Sequence, residues 1–109
     1  MDAAMFAFIL AFALLPRTCP MTVGIGTDGA LYANRLGWVK ISTKTLDSDL
    51  RGGCYNDANP IPVTSVKLYL APNAPKPKVD RVFSILEKEG WSREKVNVQR
   101  WNAYPKAPD

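Results

Sequence analysis

The clearest pattern in the chain is the alternation from Val63 to Ala71, where Val66, Leu68 and Leu70 oppose Ser65, Lys67 and Tyr69. A period of two marks a half-buried strand. The same period runs from Trp38 to Thr43, with Val39, Ile41 and Thr43 on one face and Trp38, Lys40 and Ser42 on the other. Upstream, Val23 to Thr27 and Ala30 to Ala33 read as two short strands about an Asp28-Gly29 turn. After Pro77 the period lengthens. Val79, Val82, Phe83 and Leu86 recur at i, i+3, i+4 and i+7, which predicts an amphipathic helix from about Pro77 to Glu89. Pro77 suits its first position, and Gly90 suits the left-handed position just past its end, with Trp91 folding back on Leu86. Lys95 to Val98 opens a last strand, whose alternation Gln99 and Arg100 disturb.

Elsewhere the signal is weaker. Leu46 and Leu50 suggest a single helical turn capped by Asp47 or Ser48, inside a long loop from Lys44 to Pro62. Pro72 to Pro77 reads as a stiff connector. Two prolines between Pro16 and Pro20 predict a hinge over residues 17–22, followed by a domain over 23–104 and a loose tail over 105–109. The expected fold is α+β: a small three- to five-stranded sheet with one packed helix, ending in a β-α-β unit.

Ahead of this domain stands an unbroken apolar run over residues 3–15, preceded by Asp2 and closed by Pro16. Asp2 as N-cap and a run rich in Ala, Leu and Phe predict a short helix over residues 1–16, apolar all round. At roughly 20 Å it is short for a hydrocarbon core of about 30 Å. Such a helix needs lipid or protein around it, with Phe6, Phe8 and Phe12 as its anchors. Three roles fit: a membrane or hydrophobic-partner anchor, a secretory signal whose cleavage site is Ala11-Phe12-Ala13, or a buried core helix. An inserted anchor followed by Arg17 would leave the domain on the cytoplasmic-type side.

Composition adds that the chain is globular, with 47% hydrophobic and 22% charged residues. The net charge of +4 resides wholly in residues 62–109, where nine Lys or Arg face five Asp or Glu. A basic half of this kind could meet an acidic partner, an anionic lipid face or nucleic acid. Cys19 and Cys54 are too far apart for a redox or zinc motif. On export they could form one disulfide. In a reducing compartment they would be free, with Cys54, in the flexible Arg51-Gly52-Gly53-Cys54 turn, open to attachment of a thioether-linked group.

Candidate chemistry is sparse. Gly24, Gly26 and Gly29 spell a dinucleotide-binding glycine pattern, but a hairpin rather than a βαβ unit surrounds them. Asp47 and Asp49 supply only two local hard ligands beside Arg51, so no metal site is expected. The sequence has no histidine, which removes the imidazole-based nucleophilic, acid–base and zinc chemistries together. No enzyme and no cofactor are expected. Tyr69, Trp91, Arg93, Lys95, Arg100, Trp101 and Tyr104 mix rings and cations in the C-terminal half, a combination found at protein interfaces and on single-stranded nucleic-acid platforms.

These features predict a non-enzymatic accessory or assembly subunit. Its apolar helix would dock into a membrane or protein partner, and Trp91, Arg100, Trp101 and Tyr104 would anchor an interface in a larger complex. The alternatives are an exported binding or inhibitor domain with one disulfide, and a small basic nucleic-acid-binding protein.

Overall fold

A computed structural model of the chain describes residues 18–56 and 59–102. The expected apolar helix with Phe6, Phe8 and Phe12, the tail, and Tyr104 lie outside the described residues. The fold is α+β. Strands β1 (Pro20–Ile25), β2 (Leu31–Asn34) and β3 (Trp38–Ile41) form an antiparallel meander. Helix α1 (Thr43–Gly52) and a small ribbon of β4 (Cys54–Asn56) and β5 (Asn59–Ile61) follow. Then come β6 (Ser65–Leu70), helix α2 (Lys76–Lys88), a 3-10 turn (Arg93–Lys95) and β7 (Val96–Arg100). The main sheet has the order β3-β2-β1-β6-β7, with β6 parallel to β1 and β7 parallel to β6. The terminal β-α-β unit is thus present with adjacent, parallel strands.

Alternation decides which face meets the helices. Val23, Ile25, Leu31, Ala33, Val66 and Leu68 form a core with Leu46 and Leu50 of α1 and Val82, Phe83 and Leu86 of α2. Burying one such aliphatic or aromatic side chain is worth about 1.5–3 kcal/mol. Helix α2 begins behind Pro75 with Pro77 in its first turn. It ends as its sequence predicts: Gly90 has φ +95°, the Gly90 amide donates to the Glu87 carbonyl, and the Trp91 amide donates to the Leu86 carbonyl at 2.8 Å.

Helix α1 corrects the expectation of one packed helix and a long loop. Ser42, not Asp47 or Ser48, caps it: its Oγ accepts from the Thr45 amide at 3.1 Å. Only Leu46 and Leu50 reach the core, so most of its residues carry no periodic signal. Contacts distant in sequence hold the rest, through the Arg35–Asp49 ion pair and the Lys88–Asp47 pair that ties α1 to α2.

The expected hinge is also revised at its end. Pro20 opens β1, opposite Ser65, in a strand flanked on both sides. Proline is tolerated there because the first residue of a strand can forgo a donor. One residue earlier, the Cys19 amide donates to Thr64 Oγ1 at 2.8 Å and the Thr64 amide donates to the Cys19 carbonyl at 3.0 Å. Cys19 is joined to Cys54 by a disulfide, with a Cα–Cα distance of 5.7 Å and a sequence separation of 35. Cys54 is therefore not free for attachment of a thioether-linked group.

Candidate interaction surface

The residues that alternate with the core side chains build the other face of the sheet. Register sets Lys40 beside Tyr32, Tyr32 beside Gly24, Gly24 beside Tyr69, and Tyr69 beside Gln99 in one row. A neighbouring row places Trp38 beside Asn34 on the β2–β3 side, and Thr22 beside Lys67 and Lys67 beside Asn97 on the other. Trp101 follows β7 directly. Its amide donates to the Leu70 carbonyl at 2.9 Å, and its ring lies over Gly24.

Four rings gather around that position. Trp101 meets Trp38 with centroids 4.4 Å apart, and meets Tyr32 edge-on at 5.6 Å. Trp38 meets Tyr69 edge-on at 5.8 Å. Tyr32 and Trp101 are buried, and Trp38 and Tyr69 are half-buried. Such pairs add about 0.5–1.5 kcal/mol each beyond burial. Between Trp38, Tyr69 and Trp101 runs a groove of about 470 Å³, edged by Thr22, Asn34, Lys67 and Arg100.

The charge is segregated. No strand among the described residues contains an acidic residue, whereas Lys40, Lys67 and Arg100 lie on β3, β6 and β7. Ion pairs belong to the helical side: Asp47 with Arg51 and Lys88, Asp49 with Arg35, and Asp80 with Lys76 and Arg93. Among the described residues, Lys67 and Arg100 enter no such pair.

On the helical side the carboxyls of Asp47 and Glu89 share the cations Arg51 and Lys88, and the shared site drives their proton affinities apart. The Glu89 contact, then Lys88 and Arg51, holds Asp47 below its ordinary range. The Asp47 contact, with partial burial and the Asp47 charge behind it, pushes Glu89 upward. Asp80 is held low, first by the hydrogen bond from Lys76. Two cations thus bridge α1 and α2 around the Asp47–Glu89 pair, and both carboxylates of the Asp47-Ser48-Asp49 segment are engaged by cations.

The expected interface residues divide. Trp101 lies at the groove, whereas Arg100 borders it from a register position beside Leu70, on the helix-side row of the sheet. Trp91 does not: it packs on the helix-side core, and Arg93 stacks over Phe83 at 4.0 Å. Tyr32, Trp38, Asn34 and Thr22 complete the surface and were not expected there. Their alternation was readable, but their meeting with Tyr69 and Trp101 depends on strand order. The glycine pattern forms a hairpin, with the Gly29 amide donating to the Gly26 carbonyl at 2.9 Å. A smaller concavity of about 270 Å³ lies beside the disulfide, lined by Met21, Ala33, Leu46 and the Arg35–Asp49 pair. Among the described residues no helix is long and apolar enough to cross a membrane. No protein-family model, curated protein or solved structure matches the chain.

Proposed function

We propose that this chain is a non-enzymatic accessory or assembly module whose working surface is the helix-free face of the sheet. The observation that carries the reading is the groove between Trp38, Tyr69 and Trp101, with Lys67 at its edge on a sheet whose described strands hold no acidic residue. Aromatic anchors such as Trp and Tyr are the usual energetic centre of a protein interface. The lack of histidine anywhere in the sequence weighs against catalysis.

The Cys19–Cys54 disulfide supports placing the domain in an oxidising compartment. The apolar run over residues 3–15, shortly before Cys19, would serve that location as an export signal or a retained anchor. This placement opposes the orientation suggested by Arg17, which rests on one charge.

The test is native size measurement of the extracted protein and of a Trp38→Ala/Lys67→Ala variant, alongside intact mass. The wild type is expected to run in an assembly that the variant leaves while keeping its thermal unfolding transition. Monomeric behaviour of both, or an assembly indifferent to the substitutions, overturns the reading. Intact mass separates a cleaved leader from a retained anchor.

A further inference from the structure

We infer that the outer edge of β7 pairs with β7 of a second copy of this chain, antiparallel and centred on Val98, so that two sheets become one. This edge is separate from the aromatic groove. β7 ends the sheet order, with β6 on one side only. Just past its end the Trp101 amide turns inward, to the Leu70 carbonyl at 2.9 Å. Peptide groups alternate in direction along a strand, so Asn97 and Gln99 bond β6 while Val98 and Arg100 face out. The Val96 amide keeps step with that alternation, being spent on the Arg93 carbonyl. Among the described residues this leaves open the amides of Val98 and Arg100 and the carbonyls of Val96, Val98 and Arg100.

An open row of this kind is a template for another strand. β7 carries neither proline nor lysine to discourage one, whereas the opposite edge, β3, carries Lys40. Neither helix covers the outer end of β7. Val98 is 45% exposed there, beside a concavity of about 440 Å³ lined by Leu70, Pro72 and Arg100.

Self-complementarity selects a second copy as the occupant. With Val98 level with Val98 of the second copy, the two residues exchange both hydrogen bonds, and each Arg100 amide reaches a Val96 carbonyl. The spent Val96 amide is not needed. On the helix side Val98 meets Val98 and Arg100 meets Val96; on the other face Asn97 meets Gln99. Arg100 also falls on a diagonal with Glu94 of the second copy. Within one chain neither of these two enters an ion pair among the described residues. Centring on Gln99 instead would put the two Arg100 side chains on one diagonal, and centring on Asn97 would require the Val96 amide. Antiparallel edge pairing keeps like faces together, so the aromatic grooves of both copies open to the same side.

The experiment places one new cysteine in the full chain, whose native cysteines are bonded to each other. Facing Cα atoms in an antiparallel hydrogen-bonded pair are about 5.5 Å apart, within disulfide reach. Under mild oxidation Val98→Cys is expected to give a covalent dimer. Val39→Cys, on the β3 edge and 43% exposed, should give none. Adding Arg100→Glu to Val98→Cys should slow the crosslink by about tenfold, and adding Glu94→Arg as well should restore it. Hydrogen exchange of the Arg100 amide should slow as wild-type concentration rises. In Val98→Pro, which removes only an outward amide, it should not.

No covalent dimer from Val98→Cys, equal crosslinking of Val39→Cys, or indifference to Arg100→Glu overturns the inference. So does slow exchange of the Arg100 amide at every concentration, which would show the edge already covered within one chain. Crosslinking of Val98→Cys to Val39→Cys in a mixture overturns it too, since that contact builds an open filament rather than a closed pair. None of these outcomes bears on the Trp38→Ala/Lys67→Ala variant, which probes the face and not the edge.

Discussion

Gly24 and Trp101 are a matched pair: the indole covers the glycine so closely that a Cβ built there would come 2.4 Å from its Cζ3 atom. Glycine at this position is a matter of room, since the neighbouring strand residues carry side chains. Gly24→Ala must push the ring off the sheet and disturb its contacts with Tyr32 and Trp38. The expected loss is about 1–3 kcal/mol, as for other overpacked sites. Denaturant unfolding followed by tryptophan fluorescence measures it. If the clash is the cause, Gly24→Ala costs much less in a Trp101→Leu background, and additive effects would reject it.

The disulfide closes a loop of 35 residues that contains β1, β2, β3 and α1. Replacing both cysteines by alanine is expected to cost about 3–4 kcal/mol through the freer unfolded chain. Urea titration of the double variant checks the value. A midpoint unchanged from wild type would mean that the bridge contributes nothing.

Stability should also depend on pH in two opposed ways. Asp47 and Asp80 have folded-state values below the ordinary 3.8. Their unfolded forms bind more protons there, so their contribution is present above about 3.8 and is lost as pH falls below it. Glu89 is raised above 4.5. Its folded form holds the proton more tightly, so its contribution is full below 4.5 and declines as pH rises through the raised value. Melting temperatures from pH 3 to 7 should therefore rise and then sag in the wild type. Glu89→Gln should remove the sag and keep the acid limb, whereas a sag that survives would place its origin elsewhere.

Helix α1 is the element with least local support, and two substitutions apportion what holds it. Ser42→Ala removes the cap from the Thr45 amide and should cost about 1 kcal/mol. Leu46→Ala empties a fully buried site between the sheet and the helices and should cost about 2–5 kcal/mol. Chemical denaturation of both, with hydrogen exchange at α1, tests the order. A larger loss from Ser42→Ala than from Leu46→Ala would show that the cap, rather than packing, holds the helix.

The same contrast explains what could be read before the fold was known. In α2 the stripe of Val79, Val82, Phe83 and Leu86, together with the Pro77 and Gly90 boundaries, states the helix and both its ends. In α1 two leucines among Thr, Asp, Ser and Lys form too thin a stripe, and the deciding contacts come from Arg35 and Lys88. Alternation assigned Trp38 with Lys40, and Lys67 with Tyr69, to common faces. It could not say that these were one face. That follows from the parallel insertion of β6 beside β1, a pairing between segments some forty residues apart. Trp91 and Trp101 show the converse: ten positions apart in one basic stretch, they serve opposite sides of the sheet.

The covalent ring between Cys19 and Cys54 has a mechanical consequence. A pull on the amino-terminal segment arrives at Cys19, where the load divides between a strand clamped on both sides and a sulfur bridge. The enclosed stretch, roughly 120 Å when drawn straight, cannot pay out until that bridge is reduced. Whatever tugs on the leading end therefore acts on the middle of the sheet, and a force–extension trace recorded with and without dithiothreitol should differ by that hidden length.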